Sequence, residues 1–252
     1  DAPWCGGGKA EAADVRATSL VVAVWFAVFS LPLFVLVREA PARAAPIASA
    51  VREGLGALLR TVRDARRHRT IAVFLLAHMI YADGLVTLFA FGGIYAAGTF
   101  KMSLAEVIQF GILLNVTAGL GAACFARIDD RIGAKPTIVF ALIGLLICGG
   151  AVLLVESKTL FWIFGSLLGV FVGPAQAASR SMMARLAPAD MRAEMFGLFA
   201  LSGKATAFLG PAVLGSATLY FNSQRAGMAT ILLFWLVGLA LLTGVRDVRA
   251  AQ

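Results

Sequence analysis

The sequence contains seven apolar runs that are each long enough to cross a lipid bilayer. A helix rises about 1.5 Å per residue, so a hydrocarbon core of roughly 30 Å requires about 20 apolar residues. The runs cover residues 20–37, 70–97, 104–126, 136–155, 160–184, 194–220 and 227–245. Because lipid offers the backbone no hydrogen-bond partners, spans here must be helices. The predicted fold class is an all-α membrane protein with seven transmembrane helices.

The composition agrees with a membrane protein. Of the 252 residues, 60% are hydrophobic and 14% are charged, against about 25% charged in a typical soluble domain. The net charge of +8 is therefore not interpreted as a nucleic-acid-binding surface, and no nucleic-acid partner is predicted. Cys5, Cys124 and Cys148 have neither metal-ligand nor disulfide-framework spacing. No metal site and no cofactor are predicted.

The positive charges lie mainly on one side of the predicted spans. If residues 1–17 are extracytoplasmic, sixteen Lys and Arg residues fall on the cytoplasmic side and five on the opposite side. The positive-inside rule then places the C-terminus in the cytoplasm. The largest basic group lies in residues 39–69, where the helical spacing of apolar residues predicts an amphipathic helix on an anionic membrane face. A solvated linker helix is the alternative, and both descriptions can hold together.

These patterns divide the chain into five segments. They are an extracytoplasmic lead (1–17), a transmembrane helix (18–38), a cytoplasmic loop (39–69), a six-helix bundle (70–246) and a cytoplasmic tail (247–252). The first residue is Asp1 rather than Met, and the chain is expected to be a fragment of a longer protein. A signal peptide is the alternative for the first run, which is long for that role.

A short charged segment, residues 126–135, separates two runs of the bundle. Its charges would lie at the headgroup level, where Gly133 would allow the turn and Pro136 suits the first turn of the next helix. The segment resembles the loop signature of the major facilitator superfamily, G-x-x-x-D-R-x-G-R-K. Asp130, Arg131, Gly133 and Lys135 match the signature, whereas Ala126 and Ala134 depart from it. The resemblance implies the sixth span, central loop and C-terminal six-span half of a twelve-span transporter, each half being two inverted three-span units.

Short motifs elsewhere are similar to the autophagy-associated vacuolar amino-acid effluxer branch and its bacterial relatives. They are Tyr81-Ala82-Asp83-Gly84, Gln176-Ala177-Ala178-Ser179-Arg180-Ser181, Glu194-Met195-Phe196-Gly197, Ser202-Gly203-Lys204 and Gly210-Pro211. The resemblance implies a secondary active transporter that moves a small solute by alternating access. Amino acids are the candidate solutes and protons the candidate coupling ion. The expected partners are membrane lipids, the solute and a missing N-terminal half, and the expected location is the bacterial inner membrane.

Four polar residues are predicted to meet near the middle of the membrane. Helix rise puts Asp83 and Lys204 roughly 18 and 16 Å from the cytoplasmic face, with Asn115 and Gln176 at similar depths. A charge at this depth needs a partner or a water-lined cavity. Asp83 is therefore interpreted either as a proton acceptor or as the permanent partner of Lys204, which would only fix helix register. His78 is either a proton relay or a hydrogen-bonded packing residue.

A second polar group is predicted to form a cytoplasmic gate. It comprises Asp130, Arg131, Gly133, Arg180 and Glu194. By resemblance, an acidic residue at the Asp130 position locks neighbouring helices while the transporter faces outward. Such an ion-pair latch would hold one state until the helices move apart. The alternative is that these charges, like Arg185 and Lys135, only mark the cytoplasmic side.

Small residues predict how two of the helices pack. Gly165, Gly169 and Gly173 repeat on one helix face, which favours close contact with a neighbouring helix. Gly203, Gly210, Pro211 and Gly215 predict a kinked helix in the sixth run.

Two other functions are compatible with the span count. A seven-span receptor or light sensor would also have its N-terminus outside, but a retinal protein needs a lysine on the last span, and Lys204 lies on the penultimate one. Absorbance after addition of retinal would distinguish a retinal-binding light sensor from a transporter. A membrane enzyme would need a reactive group at the interface, and residues 126–135 contain neither a nucleophile nor a histidine. No enzymatic activity is therefore predicted.

Overall fold

The computed structural model describes residues 13–36 and 69–245, which fall in two separate compact units, residues 1–51 and 52–252. The first unit contains helix α1 (Ala13–Leu36). Its large apolar side chains from Leu20 to Leu36 are exposed, as on a helix that faces lipid. The predicted amphipathic helix of residues 39–69 lies outside the described residues, apart from Arg69, as do Cys5 and the predicted tail.

The described residues of the second unit, 69–245, form a bundle of seven α-helices and one 3₁₀ turn. They are α2 (Arg69–Phe100), α3 (Leu104–Ile132), α4 (Ala134–Leu154), α5 (Lys158–Leu186), the 3₁₀ turn (Ala189–Met191), α6 (Arg192–Ala205), α7 (Leu209–Phe221) and α8 (Gln224–Thr243). With α6 and α7 counted together, the described part of the chain has seven segments long and apolar enough to cross a membrane. The predicted all-α class and the seven spans are therefore confirmed.

Short connections make successive spans antiparallel, so the bundle has two ends. At the Ser103 end, the Ser103 hydroxyl accepts a hydrogen bond from the Glu106 amide, and the Glu106 carboxylate accepts one from the Ser103 amide. This reciprocal cap satisfies two backbone donors at the start of α3.

At the Gly133 end, the chain turns at a single residue. The predicted turn of residues 126–135 is shorter than expected, because α3 continues to Ile132 and α4 begins at Ala134. Gly133 has φ 99° and ψ 162°, a backbone conformation that residues with a Cβ rarely adopt. Pro136 lies in the first turn of α4, as predicted, where its missing N–H leaves no hydrogen bond unmade.

The helix contacts follow the pattern of two inverted three-span units, α2–α4 and α5–α8. The third span of each unit packs on the first span of the other, so α4 packs on α5 and α8 packs on α2. The second spans differ in their contacts. Helix α3 packs closely on α5, whereas α6 and α7 make a looser contact with α2.

The close contact between α3 and α5 follows the predicted glycine face. A Cβ added at Gly169 would lie 2.8 Å from the Leu114 carbonyl oxygen, and one added at Gly173 would lie 3.1 Å from the Ala122 amide nitrogen. The prediction that this face permits close packing is therefore confirmed.

The predicted kink in the sixth run is a complete break. Residues 206–208 interrupt the span, and the Leu209 amide donates to the Thr206 carbonyl over 2.7 Å. Pro211 lies in the first turn of α7, where no N–H is required, whereas a continuous helix would place its ring against the carbonyl four residues earlier.

Candidate functional site

A polar cleft of 370 Å³ opens between α2, α5 and α6. It is lined by His78 of α2, Gln176 and Arg180 of α5 and Lys204 of α6, with apolar side chains around them. Counting from the helix ends, His78, Gln176 and Lys204 lie roughly 14, 15 and 18 Å from the Gly133 end, near the middle of a core about 30 Å thick. The cleft occurs where α6 packs more loosely on α2 than α3 does on α5.

His78 is held by a hydrogen bond and by ring stacking. Its Nδ1 lies 3.0 Å from the Ser202 hydroxyl, which itself donates to the Phe199 carbonyl over 2.8 Å. The hydroxyl therefore accepts from His78, and this assigns the proton of the neutral ring to Nδ1 and leaves Nε2 as an acceptor. The imidazole also stacks on the Phe199 ring, with centroids 4.0 Å apart. These contacts describe a packing role, and the proton-relay reading stays a prediction.

A buried link between α2 and α5 lies behind the cleft. The Tyr81 hydroxyl is 2.6 Å from the Ser179 hydroxyl, and Ser179 donates to the Ala175 carbonyl. Tyr81 is therefore the donor to Ser179. Both residues belong to the motifs that resemble the effluxer branch, and no contact between them was predicted, although a buried tyrosine hydroxyl needs a partner.

Asp83 lies outside the cleft and binds the start of α7. Its side chain is 1% exposed, and Oδ2 accepts a hydrogen bond from the Gly210 amide over 3.0 Å. The carboxylate thus satisfies a free N–H at the positive end of a helix. Oδ1 has no hydrogen-bond partner within the described ranges. Lys204 is exposed in the cleft, and Asp83 makes no ion pair with it.

Asn115 is the second member of the predicted central group, after Asp83, that lies outside the cleft. It is exposed on α3, and its amide donates to the Gly111 carbonyl of the same helix over 2.8 Å. Helix α3 contributes no residue to the lining of the cleft. The structure thus brings together Gln176, Lys204 and His78, and it brings neither Asn115 nor Asp83 to them.

Asp130, Arg131, Gly133 and Glu194 of the predicted gate lie near the Gly133 end, whereas Arg180 lines the cleft. The ion pair at the Gly133 end involves a different aspartate. Asp129 is buried, and its Oδ1 lies 3.2 Å from a guanidinium nitrogen of Arg185. Asp130 and Arg131 are exposed, and Asp130 makes no ion pair with any described residue. Glu194 is exposed in the first turn of α6. The loop signature predicted that Asp130 forms the latch, whereas the orientation of α3 brings Asp129 to α5.

Lys135 also has a structural contact. Its ammonium group donates to the Val245 carbonyl over 2.5 Å and to the Thr243 carbonyl over 3.3 Å, at the C-terminus of α8. A cation at this position satisfies carbonyls and opposes the negative end of the helix dipole. Lys135, interpreted from the sequence only as a marker of the cytoplasmic side, therefore also caps the end of α8.

At the Ser103 end, two further ion pairs join spans. Lys158 of α5 pairs with Glu106 of α3. Arg225 of α8 donates to the Val155 carbonyl over 3.1 Å and lies 4.0 Å from the Glu156 carboxylate, both at the end of α4. Sequence reasoning did not identify these pairs, because the partners are far apart in the chain.

The sequence matches one protein family and is similar to the sequences of several curated proteins. Residues 7–252 match the family described as Vacuole effluxer Atg22 like. The chain is 26% identical over 239 residues to Autophagy-related protein 22 of Cryptococcus neoformans var. neoformans serotype D, with 87% of this chain and 42% of that protein covered. It is also 26% identical over 231 residues to the uncharacterized MFS-type transporter YxiO of Bacillus subtilis, with 90% and 53% covered. The chain thus spans about half the length of these curated relatives.

A solved transporter shares the fold. The inward-open structure of the xylose transporter XylE from E. coli aligns with a TM-score of 0.57 at 17% identity, covering 71% of this chain and 48% of that one. The last six spans therefore have the facilitator-type arrangement that the sequence predicted.

Proposed function

The chain belongs to the Vacuole effluxer Atg22 like family, and we propose that it forms part of a secondary active transporter that moves a small solute by alternating access. The observation that carries this proposal is the polar cleft between α2, α5 and α6. Polar and charged side chains at mid-depth are costly in lipid, and a water-filled solute pathway removes that cost. We propose amino acids as the solute class, with the bacterial inner membrane as the location and the C-terminus in the cytoplasm.

A second set of spans would complete the pathway. Arg180, Gln176 and Lys204 are exposed although they lie on membrane-spanning helices, so something other than lipid must cover or hydrate them. A second six-span half is the partner that fits, because solutes in such transporters bind between repeats near the midplane. The curated relatives are about twice as long as this chain, which supports the same arrangement.

Asp83 is the proposed proton acceptor. Its buried carboxylate has one oxygen bonded to the Gly210 amide and one without a partner among the described residues. A proton on the free oxygen would neutralise the group, and the charge state would then alter how strongly α2 holds the start of α7. Because α7 follows a break in its span, this contact is suited to couple proton binding to helix movement.

We propose that the cytoplasmic gate lies at the Gly133 end and includes the Asp129–Arg185 ion pair. The predicted gate residues remain part of it: Asp130, Arg131, Gly133, Arg180 and Glu194. The pair links the end of α3 to the end of α5. Movement between these helices would have to break it, so it favours the state in which the ends lie together. The gate is tested by comparing Asp129→Ala with Asp130→Ala in a labelling assay of inward and outward states. If neither substitution changes the distribution, the latch is excluded.

Transport is tested with the protein as its gene encodes it, reconstituted into lipid vesicles. Uptake and efflux of radiolabelled neutral, acidic and basic amino acids are measured with and without an imposed pH gradient. At least one amino acid is expected to accumulate to a higher level than in protein-free vesicles, and the pH gradient is expected to increase that accumulation. No movement of any amino acid in either direction would reject the proposed solute class.

A further inference from the structure

The cleft between α2, α5 and α6 carries positive charge that the described part of the chain does not balance. Arg180 and Lys204 both line it. Neither side chain makes an ion pair or a hydrogen bond with a described residue. No Asp or Glu is among the residues that line the cleft.

Asp83 and Asp129, the two buried carboxylates among the described residues of the bundle, have other partners. Asp83 follows Ala82, which lines the cleft, but the Asp83 carboxylate is buried against the Gly210 amide. Asp129 is paired with Arg185 near the Gly133 end. The two cations of the cleft therefore remain available to a ligand.

The other lining groups suit a ligand with one anionic end and one apolar part. The guanidinium of Arg180 has a planar fork of donors that matches carboxylate or phosphate oxygens, and the Lys204 ammonium adds a second charge. Gln176 supplies an amide donor. Phe89 and Phe199 provide apolar surface beside these donors.

We infer that this cleft is an anion-binding site, in which Arg180 and Lys204 bind an anionic oxygen group of the solute, a carboxylate or a phosphate. The inference rests on the proposed function, from which it takes only that the ligand is the transported solute. Beyond the proposed function, the inference requires the solute to carry an anionic group, and solutes without one are excluded. The physical reason is that two unpaired cations in a membrane-embedded cleft attract an anion strongly and repel a cation.

The test measures ligand binding to the purified protein by isothermal titration calorimetry. The probes are leucine, 4-methylpentanoate, leucinamide and inorganic phosphate. Relative to leucine, 4-methylpentanoate lacks the ammonium group and leucinamide lacks the carboxylate, and phosphate is the alternative anion. The variants are the double substitution Arg180→Gln with Lys204→Gln and the charge-preserving pair Arg180→Lys with Lys204→Arg. Lys101→Gln is the matched control, because Lys101 is exposed between α2 and α3 and does not line the cleft.

Leucine and 4-methylpentanoate, or phosphate, are expected to bind at least about tenfold more tightly than leucinamide, as charge-assisted hydrogen bonds require. The double glutamine variant should lose this preference, whereas the charge-preserving variant and Lys101→Gln should keep it. Leucinamide binding as tightly as leucine without any phosphate binding would overturn the inference. Unchanged anion affinity in the double glutamine variant would overturn it as well.

The same variants separate this inference from the proposed function. If the wild-type protein transports solutes in vesicles without a preference for anionic ones, transport stands and the anion site falls. If it binds these anions through Arg180 and Lys204 but moves no solute, the site stands and the transport proposal falls.

Discussion

Asp83 is a buried residue that makes one hydrogen bond through its side chain and another through its backbone carbonyl. Its carboxylate accepts the Gly210 amide at the start of α7, and the Thr87 hydroxyl donates to its main-chain carbonyl over 2.8 Å. A Cβ added at Gly210 would lie 3.0 Å from Asp83 Oδ1. The absence of a side chain at Gly210 is therefore what lets α7 begin this close to α2.

Substitution of Asp83 should separate its hydrogen-bonding role from its proposed proton-binding role. Asparagine can still accept the Gly210 amide through its carbonyl oxygen but cannot exchange a proton, so Asp83→Asn should retain the melting temperature and lose the pH dependence of transport. Asp83→Ala leaves that amide unpaired and should lower the free energy of unfolding by about 1–3 kcal/mol. Thermal unfolding and vesicle transport at several pH values provide the readouts. If Asp83→Asn transports at the wild-type rate with unchanged pH dependence, Asp83 has no part in the mechanism.

The pair of helices α3 and α5 shows what small residues contribute to an element. Gly169 and Gly173 face backbone atoms of α3, and Gly121 of α3 faces the Val170 carbonyl. Without side chains at these positions the two backbones approach each other, so dispersion contacts extend along the helices. The corresponding contact of α2 with α6 and α7 is looser, and that difference leaves the cleft open.

A methyl group in the α3–α5 contact should therefore destabilise the protein. A Cβ at Gly173 would meet the Ala118 carbonyl and the Ala122 amide, which are backbone atoms that cannot rotate away. Gly173→Ala is expected to lower the free energy of unfolding by about 1–3 kcal/mol, the usual cost of overpacking. Gly119→Ala is the matched control, because a Cβ there meets nothing within 4 Å. Thermal unfolding in detergent compares the two, and equal melting temperatures would contradict the packing argument.

Charged contacts join helices at both ends of the bundle, as expected of a protein that lies across a membrane. The Gly133 end has the Asp129–Arg185 pair and the contact of Lys135 with the end of α8. The Ser103 end has the Glu106–Lys158 pair. Contacts of this kind hold helix ends together where water and headgroups replace hydrocarbon.

Labelling of single cysteines tests the proposed sidedness. In a background with the native cysteines replaced, Arg60→Cys and Arg131→Cys should react with a membrane-impermeant maleimide from the cytoplasmic side. Lys101→Cys should react only from the opposite side, because Lys101 lies in the connection at the Ser103 end. Position 60 lies outside the described residues, so its labelling also tests the predicted cytoplasmic loop. Reaction of positions 60 and 131 from opposite sides would contradict the assigned topology.

The sequence by itself determined the number and order of the spans, the membrane class and the close packing along one glycine face. These properties follow from local composition, because a run of about 20 apolar residues has one stable structure in lipid. The sequence does not determine the extent of the turn at Gly133, because charged residues at the end of a span are compatible with both helix and loop.

Only the tertiary structure decided which polar side chains meet. Successive residues on a helix point about 100° apart, so the rotation of each helix distinguishes immediate neighbours. Ala82 lines the cleft while Asp83 faces α7, and Asp129 pairs with Arg185 while Asp130 is exposed. That rotation is set by contacts between helices distant in the chain, such as α3 on α5 and α2 on α8. Depth in the membrane can therefore be counted along one span, whereas the partners of a side chain depend on all the spans packed around it.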